Sequence, residues 1–441
     1  MVIYVSEGRP YGISLLISKK RRIQLRNTFT RVQKMHVCVK VRYLLVLLMS
    51  SLALASTYPT TNGRTVIVGG GIHAVTIAYF LTKRGHAPLL IEREKIAAAA
   101  SGKSGGFLAR GWGSGPTVEL HEKSFDLHEA MAKELGIHSF RLIPTLSVNG
   151  RHKATSNPAS WLDGKATASL MDGASAQVTP SEYCEKVWQA AEKAGAELRI
   201  GTATSLSWNA NQCTGVVLED GEEILVGKLI VAAGPWTGHL VENWFGLDMP
   251  MTGIKSTSIV YENNQAVQNE PFAAFCDEDS NGCHLELYPR ADGSIYICGC
   301  GGSDYVDNSR MQPGGDCSTP SLIQPDPKRV EAASASFKGL TSLGNKPPDV
   351  TQACMRPCLQ DALPAMGSVP STDNCFISAG HNCWGILWAP ISGLCMSELV
   401  LEGKSSSVDL RSFDPGRFTK DLSCVGGRGR RRGTKMVGEQ W

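Results

Sequence analysis

The first interpretable pattern along the chain is a short β-branched run, Thr65 to Val68 (TVIV), which reads as a buried strand. Three glycines follow, Gly69-Gly70-Gly71. Apolar residues then recur at helical spacing, Ile72, Val75, Ala78 and Tyr79, predicting an amphipathic helix that Gly85 stops. Leu89-Leu90-Ile91 predicts a second strand ending at Glu92. Farther on, Gly253 to Tyr261 reads as a strand. Cys283 to Tyr288 and Ser294 to Cys298 read as a hairpin joined through Arg290-Ala291-Asp292-Gly293. Asp307 to Pro327 is rich in Pro, Gly, Ser and Asp and predicts an exposed loop. After Gly380 an apolar stretch predicts a helix that Pro390 opens at its first position and Gly403 closes. No internal repeat is visible.

The order strand, glycine turn, helix, strand, acid has a physical meaning. Gly69 and Gly71 let the backbone turn and approach a pyrophosphate at the N-terminus of the helix that Ile72 begins. Ala74 takes the third small position, where helix meets strand, and Glu92 is placed to accept hydrogen bonds from ribose hydroxyls. Glycines alone would fit an unrelated α/β turn; the flanking strands and the acid point to dinucleotide binding. The motif does not choose between NAD and FAD. Ala97 to Trp112 (AAAASGKSGGFLARGW) bears on the choice, because a small-residue loop stands where an NAD-binding domain would continue its strand and helix alternation.

At this point the chain resembles the D-amino-acid oxidase-like FAD-dependent oxidoreductases. The resemblance rests on the glycine motif, the Ser101-Gly102-Lys103-Ser104-Gly105-Gly106 loop, Leu229 to Trp236 (LIVAAGPW) and Tyr288 to Gly293 (YPRADG). It also rests on Arg356-Pro357 with Asp361, Leu363-Pro364 and Gly367, and on Gly380 to Gly393 (GHNCWGILWAPISG). Together these cover roughly residues 64 to 418, and the wording of two segments is most similar to eukaryotic oxidoreductases of the yeast TDA3 type.

The resemblance implies an α/β fold: a discontinuous Rossmann-like FAD-binding domain (64–106, 175–240 and 350–403) plus an α+β substrate domain with a mixed β-sheet (107–174 and 241–349). It implies FAD held by Gly69, Gly71, Ile72, Ala74, Glu92, Ser101, Gly102, Lys103, Gly105, Gly106, Gly234, Gly380, Gly385 and Ile386. Lys103 also reads as a solvated loop lysine. Gly105 and Gly106 are expected to pass beside the flavin ring, where a side chain would collide. The positive end of the helix after Gly385 can stabilise charge on reduced flavin.

Arg356 and His381 are the catalytic candidates. A guanidinium fork matches a carboxylate bidentately, so Arg356 reads either as a substrate clamp or as a domain-bridging salt bridge. His381 reads as an assistant at the flavin or as a loop-packing residue. Cys354-Met355 with Asp361 fits a spacing at which the cysteine of related sarcosine oxidases is bonded to flavin; a core cysteine is the alternative, and non-covalent FAD is favoured. No lysine falls between Gly293 and Arg310, where those oxidases place one for reaction with oxygen, so the acceptor is O2 or another electron acceptor.

Charge narrows the partners. The 441 residues carry 44 Lys and Arg against 41 Asp and Glu. Residues 1–56 contribute about +9, 57–423 about −10 and the end from Cys424 about +4. An acidic body does not suit a phosphate-backbone binder, which excludes nucleic acid as an expected partner of the folded part. The 14 cysteines lack the paired spacing of a metal site, and no metal is expected.

Tyr43 to Ala55 (43–55) has the form of a secretory signal behind a basic leader. If translated, it addresses the chain to the secretory or endomembrane system; otherwise a cytoplasmic or organellar location is expected. It is too short to span a membrane, and no stable membrane span is expected elsewhere. Residues 404–441 read as a tail, basic and disordered from 424. The leading functional reading is an FAD-dependent oxidoreductase that oxidises a C–N bond of a small amine or amino acid by hydride transfer to flavin N5. The alternatives are a flavin-binding regulatory or scaffold protein with little turnover and, less well supported, an NAD-dependent dehydrogenase.

Overall fold

Strand Arg64–Val68 lies between Leu89–Glu92 and Glu223–Val231, parallel to both. Glu197–Ile200 continues the parallel array on one side and Cys375–Ala379 on the other, and Ala365–Ser368 closes that edge antiparallel. These come from a computed structural model, which describes residues 63–419. The leader with its 43–55 segment and the tail from 424 lie outside the described residues.

The parallel strands are short apolar runs because both faces are covered. Successive side chains alternate between faces: Ile67, Leu90, Ile230 and Phe376 pack among helices, while Val66, Val68, Leu89, Ile91 and Val231 pack among the residues of Gln212–Leu218 and its neighbours. The helix after the glycine turn, Ile72–Lys83, is not amphipathic as its spacing predicted. It is buried nearly all round, Ala74, Thr76 and Ile77 included, since it packs against both Pro180–Lys193 and Gly385–Glu402.

The second sheet runs Asp304–Val306, Met251–Tyr261, Ile295–Cys298, Glu286–Pro289, Ala273–Cys276, Arg141–Asn149, Thr167–Gln177, Phe107–Ala109. It is mixed, because Ala273–Cys276 pairs parallel to Arg141–Asn149 within otherwise antiparallel neighbours. The fold is therefore α/β with a Rossmann-like sheet beside a mixed sheet. One expected boundary moves: Val350–Leu359, assigned by sequence to the FAD-binding pieces, pairs along Met251–Tyr261 over its whole length and belongs to the second sheet. Thr167–Gln177 likewise stays in that sheet past residue 175.

Three further expectations change. Asp307 to Pro327 is not an exposed loop: Met311, Cys317 and Ile323 are buried against Trp236 and Val306, and the Trp236 indole donates to Cys317 O at 3.0 Å. Residues 404–419 are packed chain, with Val408 and Phe413 in the core. There the buried Glu398 carboxylate accepts the N–H groups of Ser406 and Ser407 at 2.8 and 2.9 Å.

Pro390 is not the first residue of its helix, which begins at Gly385 and runs to Glu402 with Gly403 left-handed at its end. By length and composition alone Asn382–Glu402 could cross a membrane, which the sequence reading missed. In the fold it is the central core helix, largely buried between Ile72–Lys83 and Val118–Leu135.

Candidate functional site

An elongated cavity of about 300 Å³ runs from the carboxyl ends of the parallel strands to the face of the second sheet. At its first end lie the glycine turn, Glu92 and Ala232 to Trp236. The Glu92 carboxylate accepts Gly70 N–H at 2.6 Å and Glu94 N–H at 2.9 Å. Burial pushes its pKa up, and those two N–H groups oppose the rise. Gly69 has φ 120°, and a Cβ there would lie 2.4 Å from Ala232 O, so the close passage of the neighbouring strand requires glycine. Gly234 also has a positive φ, 58°.

The helix after the turn has no cap of its own at Gly71. Ser101 supplies one from a distant loop, its Oγ accepting Ile72 N–H at 2.9 Å. The hydroxyl expected on a pyrophosphate is therefore engaged in capping, although Ser101 still lines the cavity. Gly102, Lys103, Ala74 and Gly380 are not brought to the wall. Gly102 is pressed against Ala97 O, and the Lys103 carbonyl accepts Gln352 Nε2–H at 2.9 Å, tying the loop to the second sheet. Ala74 is core packing, and Gly380 turns against Leu359 with φ 80°.

The middle of the cavity is built from His73, Ser104, Ser378, His381, Gly385 and Ile386. The His73 and His381 rings stack with centroids 3.5 Å apart and planes 18° apart. Burial drives His73 down to about 3, against a small opposing effect of the Gly385 backbone. Burial and the neighbouring ring hold His381 well below its ordinary value. Both imidazoles are therefore neutral. Neither nitrogen of His73 has a well-formed hydrogen bond, nor do His381 Nδ1, Ser104 Oγ and Ser378 Oγ, whereas His381 Nε2 meets Ser392 Oγ at 3.2 Å. Helix Gly385–Glu402 continues a 3-10 turn, Asn382–Trp384, that lines the same space.

The far end is a face of the second sheet. Glu286 pairs with Cys298 and Tyr288 with Tyr296; Tyr296 and Val350 both pair with Val260. With a side-chain period of two, Cys354 and Arg356 share that face with Glu286, Tyr288, Tyr296 and Cys298, and all six line the cavity.

Arg356 Nε is buried without a partner, and no ion pair is formed by Arg356 among the described residues, so the expected alternative of a domain-bridging salt bridge is not what it makes. Burial works against its charge, while the nearby cysteines and Glu286 hold the guanidinium above its ordinary value. Burial raises the Cys354 thiol. Gly105 and Gly106 are fixed by protein neighbours: a Cβ at Gly105 would lie 2.3 Å from the Tyr288 ring, and one at Gly106, with φ 75°, would lie 1.8 Å from Val178 O. Sequence reasoning missed His73 and Glu286. His73 occupies a variable position of the glycine motif, and Glu286 stands two residues before Tyr288, so period-two spacing was its only signal.

The sequence pattern described as DAO, FAD dependent oxidoreductase, matches residues 64–399. The chain belongs to that family. A Schizosaccharomyces pombe protein named as an oxidoreductase is 27% identical over 403 residues, covering 80% of this chain and 98% of that one. The Saccharomyces cerevisiae oxidoreductase TDA3 is 26% identical over 204 residues, covering 43% and 34%. The crystal structure of glycine oxidase from Geobacillus kaustophilus matches with a TM-score of 0.64 at 21% identity, covering 81% of this chain and 99% of that one.

The cavity suits FAD, the cofactor of this family. The glycine turn and Glu92 would hold its ADP half. The unpartnered polar atoms of His73, His381, Ser104 and Ser378 are donors and acceptors that a polar chain through the middle would satisfy. The turn Asn382–Trp384 and the helix start at Gly385 would face the flavin. Bound there, FAD supplies a two-electron acceptor.

Proposed function

We propose that the protein oxidises a C–N bond of a small amino acid or amine, with the hydride passing to FAD. Arg356 carries this reading: a guanidinium free of any protein carboxylate, in a cavity whose other end is built for a dinucleotide. Its Nε is buried without a partner in an otherwise half-buried side chain that makes no ion pair, and a substrate carboxylate meets such a guanidinium in a bidentate geometry. Held this way, a neutral amine releases hydride from its α-carbon with help from the nitrogen lone pair, and water hydrolyses the imine. Positioning is the protein's main contribution. That relatives in structure include a glycine oxidase and an L-proline dehydrogenase supports the class of reaction.

The deciding experiment is anaerobic mixing of the FAD-loaded protein with a panel of amines, amino acids and hydroxy acids, following the visible flavin bands. Bleaching by an amino acid or amine is the expected outcome. Bleaching by hydroxy acids alone, or by nothing in the panel, would remove the reading and favour a flavin-binding scaffold. Reoxidation by oxygen against an artificial acceptor then separates oxidase from dehydrogenase.

A further inference from the structure

Two acidic residues line the cavity, Glu92 at the glycine turn and Glu286 at the second sheet. Glu92 is occupied by backbone N–H groups. Glu286 is held differently: the Tyr288 hydroxyl and Cys298 Sγ both donate to its Oε2, the latter at 3.3 Å, and among the described residues nothing donates to Oε1. Both donors are neutral, so they orient the carboxylate without cancelling its charge.

Beside it stands an aromatic wall. Phe107 stacks on Tyr288 with centroids 5.2 Å apart and planes 12° apart, and Phe275 meets Phe107 and Tyr288 edge-on at 5.4 and 6.0 Å. A carboxylate next to aromatic faces is the environment that attracts an ammonium group. Across the same sheet face Arg356 offers the opposite charge. Glu286 is among the charges that raise Arg356, yet the two make no ion pair, and both line the cavity.

We propose that Arg356 and Glu286 read the two ends of a zwitterionic α-amino acid, carboxylate on Arg356 and ammonium on Glu286 against the Phe107–Tyr288–Phe275 wall. This rests on the oxidation reading above and narrows it: amino acids, methylated ones included, are the substrate class, in preference to simple amines and hydroxy acids. Glu286 then has a second task. An ammonium has no lone pair and cannot expel hydride. When its proton passes to a Glu286 oxygen, one N–H bond breaks and one O–H bond forms without any change of oxidation state. The neutral amine is left in place for the two-electron step, in which the C–H pair leaves as hydride and FAD is the oxidant.

The test uses two ligands of the same shape on the FAD-loaded protein: trimethylglycine, a zwitterion whose nitrogen is permanently cationic and has no lone pair to drive oxidation, and 3,3-dimethylbutanoate, with carbon in place of nitrogen. Perturbation of the flavin spectrum reports binding. Wild type is expected to favour trimethylglycine at least tenfold. Glu286→Gln abolishes the preference while changing dimethylbutanoate affinity less than twofold, Glu286→Asp restores part of it, and Arg356→Lys weakens both ligands. No preference in wild type, a preference that survives in Glu286→Gln, or binding of neither compound overturns the proposal. An amino acid that bleaches the flavin in a protein showing no such preference leaves the oxidation reading standing and removes this one; a preference without bleaching by any compound removes the oxidation reading and with it the proton-accepting task of Glu286, leaving only the two-ended binding.

Discussion

His128 donates from Nε2 to the carbonyl of Ile386 at 2.9 Å across 258 residues of sequence. That carbonyl would accept from the amide of residue 390 in an unbroken helix, and residue 390 is proline. The following amide, Ile391 N–H, meets Ser124 Oγ at 3.2 Å. Helix Val118–Leu135 thus repairs the gap that Pro390 leaves at the end of Gly385–Glu402 facing the cavity.

His128→Leu orphans a buried acceptor, which costs about 1–3 kcal/mol, offset in part because it also removes His128 Nδ1, buried without a partner. Burial also holds His128 down to about 4. Between the unfolded value of about 6.5 and this folded value, the unfolded chain binds the extra proton. Stability from this residue is present above about pH 6.5 and falls as the pH drops toward 4. Urea unfolding at pH 7.5 and 5 should show a smaller loss on acidification in the variant than in wild type. Equal losses would separate the acid sensitivity from His128.

Cys354 lines the cavity but should not bond to flavin. The thiolate is the nucleophile, and burial raises this thiol so that it stays protonated near neutrality. Acid precipitation is expected to release all the flavin into the supernatant, and Cys354→Ala should keep the yellow colour. Flavin retained in the precipitated wild type would contradict this.

The glycine turn and its acid were readable because a local rule fixes them: Gly69 and Gly234 adopt positive φ at the strand ends, and Glu92 follows at a characteristic distance along the chain. What was not readable depends on partners far apart. Pro390 looked like a helix start because the rule for proline is local, and the side chain that makes an interior proline tolerable comes from another helix. Gly105 and Gly106 were expected to lack side chains because of the flavin ring, whereas the atoms a Cβ would meet belong to Tyr288 and Val178. Glu286 acquires meaning only once the register places it on the face that holds Arg356.

Arg356→Ala should raise KM or the apparent dissociation constant for carboxylate-bearing substrates about 30- to 100-fold, equivalent to roughly 2–3 kcal/mol for charge-assisted hydrogen bonds. Reduction rates at saturation should fall much less if Arg356 only positions. Arg356→Lys keeps the charge without the fork and should lie between. Equal affinity across the three proteins, measured by flavin reduction at varied substrate concentration, would place the carboxylate elsewhere.

His73 poses an opposite pair of expectations for the empty and loaded protein. With both ring nitrogens shielded and lacking a well-formed hydrogen bond in a half-buried residue, the imidazole burdens the cofactor-free fold. His73→Phe removes that burden and keeps a ring to stack on His381, so the apo protein should melt at a higher temperature. If a ring nitrogen bonds to FAD, the same change should weaken FAD binding by about tenfold, near 1.4 kcal/mol. Because His73 is held down to about 3, it stays neutral between pH 6 and 8, and the affinity difference should be flat across that range. Fluorescence titration of FAD, with melting of both forms, tests the pair. An unchanged FAD affinity beside a raised apo melting temperature would make His73 a packing residue alone.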